Sequence, residues 1–559
     1  MMPFNLTTER WLPLRHRSNK IEWGCPAHLT NSLDSDPVVA IAAPRPDLEG
    51  ALYEFLIGLL TVALRPDDER AWRNWWISPP SPDLLRERFA ALPASFDLDG
   101  EGVRFLQDPS SADLADADVV PIEQMLINAP GGQAVRLNKD LFVKRGRVGQ
   151  LGRPAAAISL ITLQTYSPAG GQGHRTSMRG GGPLTTLIEP RRVPLVNGDP
   201  EEALWYMLWA NVLTSAQWET RPGAARNAPP DVFPWLAPTR ASAKGNAPTT
   251  PADAHPLQAF FGMPRRIRLE FGDAGVCDLT GRPDERVVTG FRMRNYGVEY
   301  DGWEHPLSPY YSSKKDSEWL PVHGQPGGLA WKDWLGLTLQ RPEGASQRPA
   351  HVVSHFLERR AGEIGRTEVR LRVFGYDMDN MKARGWTEAV RPAFAIDDPE
   401  RRQVLIDLAE RLTSGADHIA GLLQFYVKTA LFERPKDAPG DFSPIKTELW
   451  SATEAWFFAS VHRVVAGDGT AQGVLQECSA FRDRLESVAT TIFDRWCPGA
   501  GLSPAALRRL VGARFTLVMT LRGKSKSGEE LFRKLGLAVP ESRKSQKATR
   551  STTRKEAKS

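Results

Sequence analysis

The sequence changes character at about residue 397, and this change constrains the fold more than any other feature. From there on, four stretches show helical periodicity and are separated by Pro, Gly or Asp residues. The stretches are 398–432, 444–466, 470–495 and 503–522. Helices of this length with short connections are typical of an antiparallel four-helix bundle, so we predict one over residues 397–530. Ser503 and Pro504 suit the N-cap and the first turn of the last helix.

Residues 1–396 show a different pattern, in which short helical and alternating segments follow one another. We predict helices over 47–64, 155–166 and 201–218, antiparallel strands over 265–298, and a further strand over 368–374 before a Gly-Tyr-Asp-Met-Asp-Asn turn. Residues 221–256 contain eight prolines and are predicted to form a poorly ordered surface connection. The two patterns together predict an α+β protein, with a large mixed N-terminal domain of short strands and helices followed by the bundle.

Positive charge is concentrated at the C terminus. The 559 residues have a formal net charge of +5, and residues 541–559 hold seven basic and two acidic side chains, which accounts for the whole excess. With almost no apolar residues, this tail is predicted to be disordered. The rest of the chain is near neutral, so a nucleic-acid surface would have to be a local patch. The longest apolar run, 51–64, contains Glu54 and is too short to cross a bilayer, so we expect a cytoplasmic protein with no membrane partner.

Motifs for catalysis and metal binding do not assemble in this sequence. His351 and His355 have the spacing of zinc peptidase ligands, but Val352 stands at the position of the catalytic Glu. The segment 523–525, Gly-Lys-Ser, follows a helix and lacks the upstream glycine of a phosphate-binding loop. Four cysteines lie far apart without CxxC spacing. We therefore predict that the protein is not an enzyme and holds neither a cofactor nor a metal ion.

One window, from Arg136 to Arg192, combines basic and glycine-rich sequence. It contains ten basic and two acidic residues, and within it 167–183 has six glycines together with Arg175 and Arg179. Glycine lets the backbone approach a polyanion closely and expose its N–H groups, while flanking guanidinium groups can neutralise phosphate. The window therefore predicts a nucleic-acid contact, with a flexible surface loop as the alternative interpretation.

Several segments occur in the order found in a known family. They are Asn5-Leu6 with Trp11-Leu12-Pro13, the helix 52–64, Ile127–Gly131, Arg179–Thr186, Thr289–Phe291, His305–Pro309 and the terminal helices. In these segments the chain resembles the CasA-type large subunit of the type I-E CRISPR Cascade surveillance complex. The most specific segment is Arg-Gly-Gly-x-Pro-x-Thr-Thr at 179–186, and the resemblance extends to about residue 525.

This resemblance implies a non-catalytic subunit that recognises the motif flanking a DNA target, the PAM, through the minor groove of double-stranded DNA. It also implies that the subunit promotes duplex opening and R-loop formation and recruits a separate helicase-nuclease. The implied partners are a guide RNA, the other Cascade subunits, double-stranded target DNA and that helicase-nuclease. Two alternatives are a nuclease with an unrecognised site and a free-standing nucleic-acid-binding protein. The missing catalytic motifs argue against the first, and the near-neutral body argues against the second.

The resemblance also implies which residues contact DNA. The family's glycine loop falls by position on Ala169, Gly170, Gly171, Gln172 and Gly173. Its lysine finger falls on Arg294 or Asn295, and Arg294 is preferred because it keeps the positive charge. Its wedge falls on Asp379, Asn380 and Met381, where Asn380 takes the position of the family's glutamine.

A second implied contact is with the 5′ end of the guide RNA. The family's loop for that contact corresponds to the segment from Asn128 onward, which is longer and basic here. Its implied contact residues are Asn128, Lys139, Lys144, Arg145 and Arg147. Some relatives have a cysteine cluster where this chain has only Cys277, so no zinc site is predicted.

Overall fold

The computed structural model describes residues 3–92, 94–140, 145–171, 173–192, 202–243, 246–312, 318–339, 346–362, 364, 367–379, 382–396, 398–467 and 470–540. In these ranges no helix combines the length and the apolar character needed to cross a membrane. The chain forms two compact units. The first contains Met1–Gly328 and Pro342–Ala393, and the second contains Leu329–Arg341 and the chain from Phe394 onward. The basic tail 541–559 lies outside the described residues.

The strands of the first unit form small antiparallel sheets. They are β1 (Leu12–His16), β2 (Ile21–Gly24), β3 (Val38–Ile41), β4 (Val119–Pro121), β5 (Leu151–Gly152), β6 (Thr185–Arg192), β7 (Arg266–Phe271), β8 (Gly275–Val276), β9 (Pro283–Asp284), β10 (Val287–Arg294), β11 (Tyr310–Tyr311), β12 (Leu320–Pro321), β13 (Gln347–Arg348), β14 (Thr367–Asp379) and β15 (Lys382–Ala393). Two sheets matter for the site. In one, β10 pairs with β7, β4 and β5, and in the other, β14 lies between β15 and β6.

The helices of the first unit are mostly short. They are α1 (Pro46–Leu64), α2 (Glu69–Ile77), α3 (Pro82–Ala90), α4 (Ser111–Ala115), α5 (Gly132–Arg136), α6 (Arg153–Tyr166), α7 (Leu204–Ala210), α8 (Ser215–Glu219), α9 (Pro229–Val232) and α11 (His351–His355). The helix between the last two in the sequence, α10 (Trp334–Thr338), belongs to the second unit. Helix α1 is buried over most of its length, as expected for an apolar run enclosed by its unit. The helices predicted over 47–64 and 155–166 correspond to α1 and α6 and are confirmed.

The second unit is built from packed helices. They are α12 (Pro399–Leu431), α13 (Ser443–Ala466), α14 (Ala471–Trp496), α15 (Pro504–Leu521) and α16 (Lys526–Lys534). The Ser503 hydroxyl accepts a hydrogen bond from the Ala506 N–H at 3.3 Å and caps α15 as predicted. The α+β prediction with a C-terminal helical region is confirmed. Helix α16 adds a fifth helix that periodicity did not predict, because nine residues with few apolar side chains give little pattern.

A tryptophan-containing segment packs with these helices although it lies far upstream in the sequence. Trp331 is fully buried, and its indole N–H donates to the Trp450 carbonyl at 3.0 Å. Its ring stacks on Phe457 with centroids 4.3 Å apart, and Trp334 packs edge-on against the same ring. The core of the second unit therefore includes side chains from Leu329–Arg341.

Two predictions for the middle of the first unit are wrong. The helix predicted over 201–218 is interrupted after α7, because the buried Asn211 amide exchanges hydrogen bonds of 2.9 Å with the Ile188 backbone of β6. The 221–256 segment is packed where it is described, not a loose surface connection. Trp235 is buried among Phe96, Phe105 and Phe261, and its N–H donates to the Ser95 carbonyl at 2.7 Å. Burial of aromatic rings outweighs the preference of the prolines for an open chain.

The turn predicted after residue 374 is also wrong. Strand β14 continues through Asp379, with Tyr376 opposite Trp386 and Asp377 opposite Gly385. Gly375 makes this possible, because a Cβ there would lie 2.5 Å from the Pro183 carbonyl oxygen. The predicted strands over 265–298 are confirmed as the antiparallel pair β7 and β10.

Candidate nucleic-acid interface

The glycine loop, defined as residues 169–173, leaves the end of α6 and is closed by backbone hydrogen bonds. The Gly170 N–H donates to the His174 carbonyl at 3.3 Å, and the His174 N–H donates to the Gly171 carbonyl at 3.4 Å. Below this turn, the Ser177 N–H donates to the Ser167 carbonyl at 3.0 Å. Ala169, Gly170 and Gly171 are exposed, and Gln172 lies outside the described residues. The loop is therefore a closed turn with an exposed tip.

Two glycines of this loop have different roles. Gly171 has φ +84°, and a Cβ built there would have no heavy atom within 4 Å. Gly173 has φ +74°, and a Cβ there would lie 2.8 Å from the Asn295 Cβ. Both conformations favour glycine. Gly173 lets the loop pack against the neighbouring turn, whereas Gly171 leaves its open side for an incoming molecule.

Arg265 lies beneath the glycine loop, and sequence analysis did not identify it. Its side chain donates to the Pro168 carbonyl and, at 3.3 Å, to the Ser167 hydroxyl, and Nη1 lies 2.7 Å from His174 Nδ1. Burial lowers the pKa of Arg265 to about 10, which still leaves it charged at neutral pH. Among the described residues no carboxylate pairs with it. In the sequence, Arg265 stands out only as the basic residue before Arg266, where the predicted strands begin. Many arginines with a purely structural role occupy such positions.

His174 contacts both Arg265 and the neighbouring turn. Burial, followed by the positive charge of Arg265, lowers the pKa of His174, while a side-chain hydrogen bond with Asn295 acts in the opposite direction. The ring is therefore neutral at pH 7, so the positive charge under the loop comes from Arg265.

The structure brings Asn295, not Arg294, to the glycine loop. Next to Asn295, the Tyr296 N–H donates to the Gly173 carbonyl at 2.7 Å. Arg294 is the last residue of β10, and its Nε donates to the Asp113 carbonyl in α4 at 2.8 Å. The two candidates for the finger thus point to different neighbours. The sequence favoured Arg294 as the finger only because of its positive charge. It did not show which face of the strand the Arg294 side chain would occupy.

The two arginines of the glycine-rich stretch both pair with carboxylates, and for the buried Arg179 the interpretation that it neutralises phosphate is wrong. Arg179 is 3% exposed and pairs with Glu54 of α1, which is 6% exposed. The Tyr166 and Thr185 hydroxyls donate to the same carboxylate at 2.5 Å each. Arg175 pairs with Glu299 at 2.9 Å. The most specific sequence segment, 179–186, therefore builds a buried polar network.

The predicted wedge lies at the end of the β14–β15 hairpin. Asp379 pairs in register with Lys382 and is exposed, while Asn380 and Met381 lie outside the described residues. The hairpin near its end is held by Arg384, which donates to both oxygens of the Asp377 carboxylate at 2.7 and 3.1 Å. Of the wedge, the structure therefore describes only Asp379, at the end of a hairpin whose strands the Asp377–Arg384 pair connects.

Close backbone contacts connect the glycine loop to this hairpin. A Cβ on Gly181 would lie 2.7 Å from the Pro168 Cα, next to the start of the loop. A Cβ on Gly182 would lie 2.7 Å from the Tyr376 Cβ in β14. Because residues 181 and 182 have no side chains, Pro168 at the start of the glycine loop and Tyr376 in the hairpin can both pack against them. The structure therefore places the loop, Asn295 and the hairpin within one contiguous region of the first unit.

The basic segment after Asn128 is partly described. Arg145 is engaged internally, because its guanidinium pairs with Asp140 and donates to the Val135 carbonyl at 3.0 Å. Lys139 and Arg147 are exposed, and their side chains have no hydrogen-bond or ion-pair partner among the described residues. Asn128 is exposed as well, and Lys144 lies outside the described residues. Of the predicted contacts that the structure describes, Lys139 and Arg147 have the basic side chains best placed for an external anion.

No cluster of three or more metal-binding side chains occurs within the described residues. His355 does not face an open coordination site, because its Nε2 lies 2.9 Å from the Glu69 carboxylate, which Arg360 also contacts. His351 stacks beside it with ring centroids 6.1 Å apart.

Comparisons with known proteins agree on one family. The family model for CRISPR-associated protein Cse1 matches residues 5–492. The structure of Cse1 from Acidimicrobium ferrooxidans is similar with a TM-score of 0.62 and 20% identity, covering 97% of this chain and all of that one. Cse1 from Thermobifida fusca gives a TM-score of 0.67 at 17% identity, covering 96% and 99%. A chain in a structure described as a CRISPR RNA-guided surveillance complex gives 0.62 at 18% identity, covering 92% and 100%.

Proposed function

The chain belongs to the CRISPR-associated protein Cse1 family, the CasA-type large subunits, and from that premise we propose that it is a non-catalytic subunit of an RNA-guided surveillance complex. In this role it recognises the motif flanking the target in double-stranded DNA, promotes strand opening and R-loop formation, and recruits a helicase-nuclease. Sequence recognition of the target itself belongs to the guide RNA, so the protein needs only a few groups to recognise the flanking motif.

The observation that carries this proposal is the open side of Gly171 above the charged Arg265. A backbone without a Cβ enters the narrow minor groove where a side chain would collide with its walls. The positive charge of Arg265 below the loop attracts the phosphates on either side of the groove and is not neutralised by a described carboxylate. Readout through the minor groove is degenerate, so several related flanking motifs should be accepted.

Strand opening is assigned in this proposal to the β14–β15 hairpin. The Asp377–Arg384 pair joins the two strands near this end, and residues 379–381 are the part of the chain proposed to press against a base step. Inserting protein groups beside a base pair costs a few kcal/mol of unstacking, which the contacts made by the glycine loop offset.

Asn295 is proposed as the residue beside the loop that contacts the motif. We expect Asn295→Ala to weaken binding of the assembled complex to a motif-bearing duplex by about five- to ten-fold, the value of one hydrogen bond. Arg294→Ala should change it by less than about two-fold, because Arg294 is held at the Asp113 carbonyl. Filter binding of the two variants distinguishes them. A larger effect of Arg294→Ala would identify Arg294 as the finger instead.

Arg147 is proposed to contact a phosphate near the 5′ end of the guide. Arg147→Ala should lower the salt dependence of the chain's association with the guide-bound complex by about 0.7 in the log–log slope, the value for one phosphate contact on a single strand. Arg147→Lys keeps the charge and should keep the slope. An unchanged slope in the Ala variant, measured across a KCl titration, would remove Arg147 from the interface.

Membership of a complex is tested by co-purification. A tagged chain isolated from its cells should bring a guide RNA and several smaller subunits with it, and a helicase-nuclease should join after target DNA is added. Isolation of the chain alone would favour the free-standing binder. Cleavage of labelled duplex by the pure chain with Mg²⁺ and ATP, lost on mutation of a carboxylate cluster, would favour the nuclease alternative.

A further inference from the structure

A cavity of about 420 Å³ lies in the first unit and has no part in the proposed contacts with DNA or guide RNA. Its walls include Gln217, Arg221, Trp303 and His351, together with several prolines. The volume falls in the range of sites for small molecules.

Arg221 gives this cavity an unpaired positive charge. Its side chain makes one hydrogen bond among the described residues, from Nη1 to the Glu304 carbonyl at 3.2 Å, which leaves its other N–H groups without an acceptor there. The guanidinium lies 5.0 Å from the centroid of the buried Trp218 ring. The Glu304 carboxylate also borders the cavity and attracts Arg221, but its ion-pair partner among the described residues is Arg348, at 2.5 Å.

Two further side chains offer unused polar atoms to the same space. Gln217 accepts hydrogen bonds from the Thr214 N–H and hydroxyl with its Oε1, and its Nε2 group has no acceptor among the described residues. The His351 ring stacks on that of His355 and makes no hydrogen bond to a described residue. Burial, and then the positive charge of Arg221, lowers the pKa of His351 to about 4, so at neutral pH this ring is uncharged and adds no second cation.

Most of the remaining lining is apolar. Trp303 lines the cavity, and because its N–H is already donated to the Thr249 carbonyl at 2.9 Å, the part it can offer a ligand is the apolar ring. Pro222, Pro251 and Pro256 add further apolar surface, and Thr220 and Gly302 complete the lining. An unpaired arginine and an amide donor at one place, with aromatic and proline surfaces beside them, match a ligand that has an anionic end and a planar body.

We propose that this cavity binds a small ligand that carries an oxyanion attached to a flat apolar group. Arg221 pairs with the oxyanion, the Gln217 amide donates to it, and Trp303 with the prolines covers the planar group. The oxyanion can belong to a phosphate, as in a nucleoside monophosphate, or to a carboxylate, as in an aromatic acid. The site does not depend on the proposed role in DNA recognition.

The test uses the purified full-length chain and calorimetric titration with adenosine monophosphate, inorganic phosphate and benzoate. If adenosine monophosphate binds more tightly than inorganic phosphate and benzoate does not bind, the oxyanion of the ligand is a phosphate. If benzoate alone binds, the oxyanion is a carboxylate. Absence of binding by all three probes up to about 10 mM would overturn the proposal, since that concentration exceeds the Kd expected for even one charged hydrogen-bonded pair with added apolar contact.

Two variants make the test specific to the cavity. Arg221→Gln should lower the affinity for the probe that binds by at least about ten-fold. Gln217→Glu keeps the oxygen that accepts from Thr214 and adds a negative charge beside Arg221, so it should weaken the probe by a similar factor without loss of the local fold. Arg226→Gln is the matched control, because Arg226 lies close in sequence, is exposed, and has a side chain whose one acceptor among the described residues is the Ala252 carbonyl. Parental affinity in Gln217→Glu, or in a folded Arg221→Gln variant, would overturn the proposal.

Discussion

Replacing Gly171 with Asp should abolish motif-dependent binding of the assembled complex to duplex DNA, with a loss of at least about 100-fold. The new carboxylate would enter the groove beside the phosphates, where juxtaposed like charges cost several kcal/mol, and about 2.7 kcal/mol already corresponds to that factor. A Cβ at 171 has no heavy atom within 4 Å, so the cost inside the protein is that of the left-handed backbone at φ +84°, which the control variant below shares. The loss would therefore come from the interface with DNA.

Gly102→Asp is the control for this experiment. Gly102 has φ +86°, close to the +84° of Gly171, and a Cβ there likewise has no neighbour within 4 Å. Both variants therefore bear the same backbone cost of about 1 kcal/mol and the same change of charge. Only Gly171→Asp should lose the motif-bearing duplex, and it should still assemble into the complex and bind a target whose strands are already separated. Equal loss on duplex and separated strands would place Gly171 outside motif recognition.

Replacing Arg179 with Met should destabilise the first unit by about 3–5 kcal/mol, because it leaves the buried Glu54 carboxylate without its cation. Arg175→Met should lower the free energy of unfolding by about 1 kcal/mol or less. Arg175 pairs with Glu299 near the surface, where the two side chains are 29% and 40% exposed, respectively. Urea unfolding followed by tryptophan fluorescence compares the two variants.

A second substitution tests the cause of this loss. Glu54→Gln combined with Arg179→Met removes the unpaired charge and keeps an oxygen that accepts from Tyr166 and Thr185. The double variant should be more stable than Arg179→Met alone. If Arg179→Met instead unfolds like the parent but loses DNA binding, Arg179 contacts phosphate and the buried network is not its role.

Much of the fold could be predicted from periodicity, and the failures have identifiable causes. Helices α1, α6 and α12–α15 were predictable because each has an apolar face or run longer than two turns with a clear start or stop signal. The break after α7 depends on one buried amide that pairs with β6, a long-range contact without a local signature. Trp235 shows the same limit, since its aromatic neighbours come from distant parts of the chain.

For the candidate site, the exposure of the glycine loop could be predicted, but the contacts around it could not. Glycine at 170, 171 and 173 could be recognised as a loop able to approach a polyanion, and the loop is found exposed at its tip. Which arginine is buried and which is available could not be read from composition. Arg179 proves to be a core ion pair and Arg265 proves to lie under the loop, because the partners that decide this are more than 80 residues away.

The central claim is that this chain gives the surveillance complex its ability to recognise a flanking motif in duplex DNA. The most direct measurement is the affinity of the guide-bound complex, assembled with and without the chain, for three DNAs that share one target sequence. The first has the flanking motif, the second has that motif scrambled, and the third has the motif region and target already strand-separated. With the chain present, the first duplex should bind at least about ten-fold more tightly than the second, the discrimination of one to two base-edge contacts. Without the chain this preference should vanish while binding to the separated strands remains. Equal preference for the motif in both assemblies would contradict the claim.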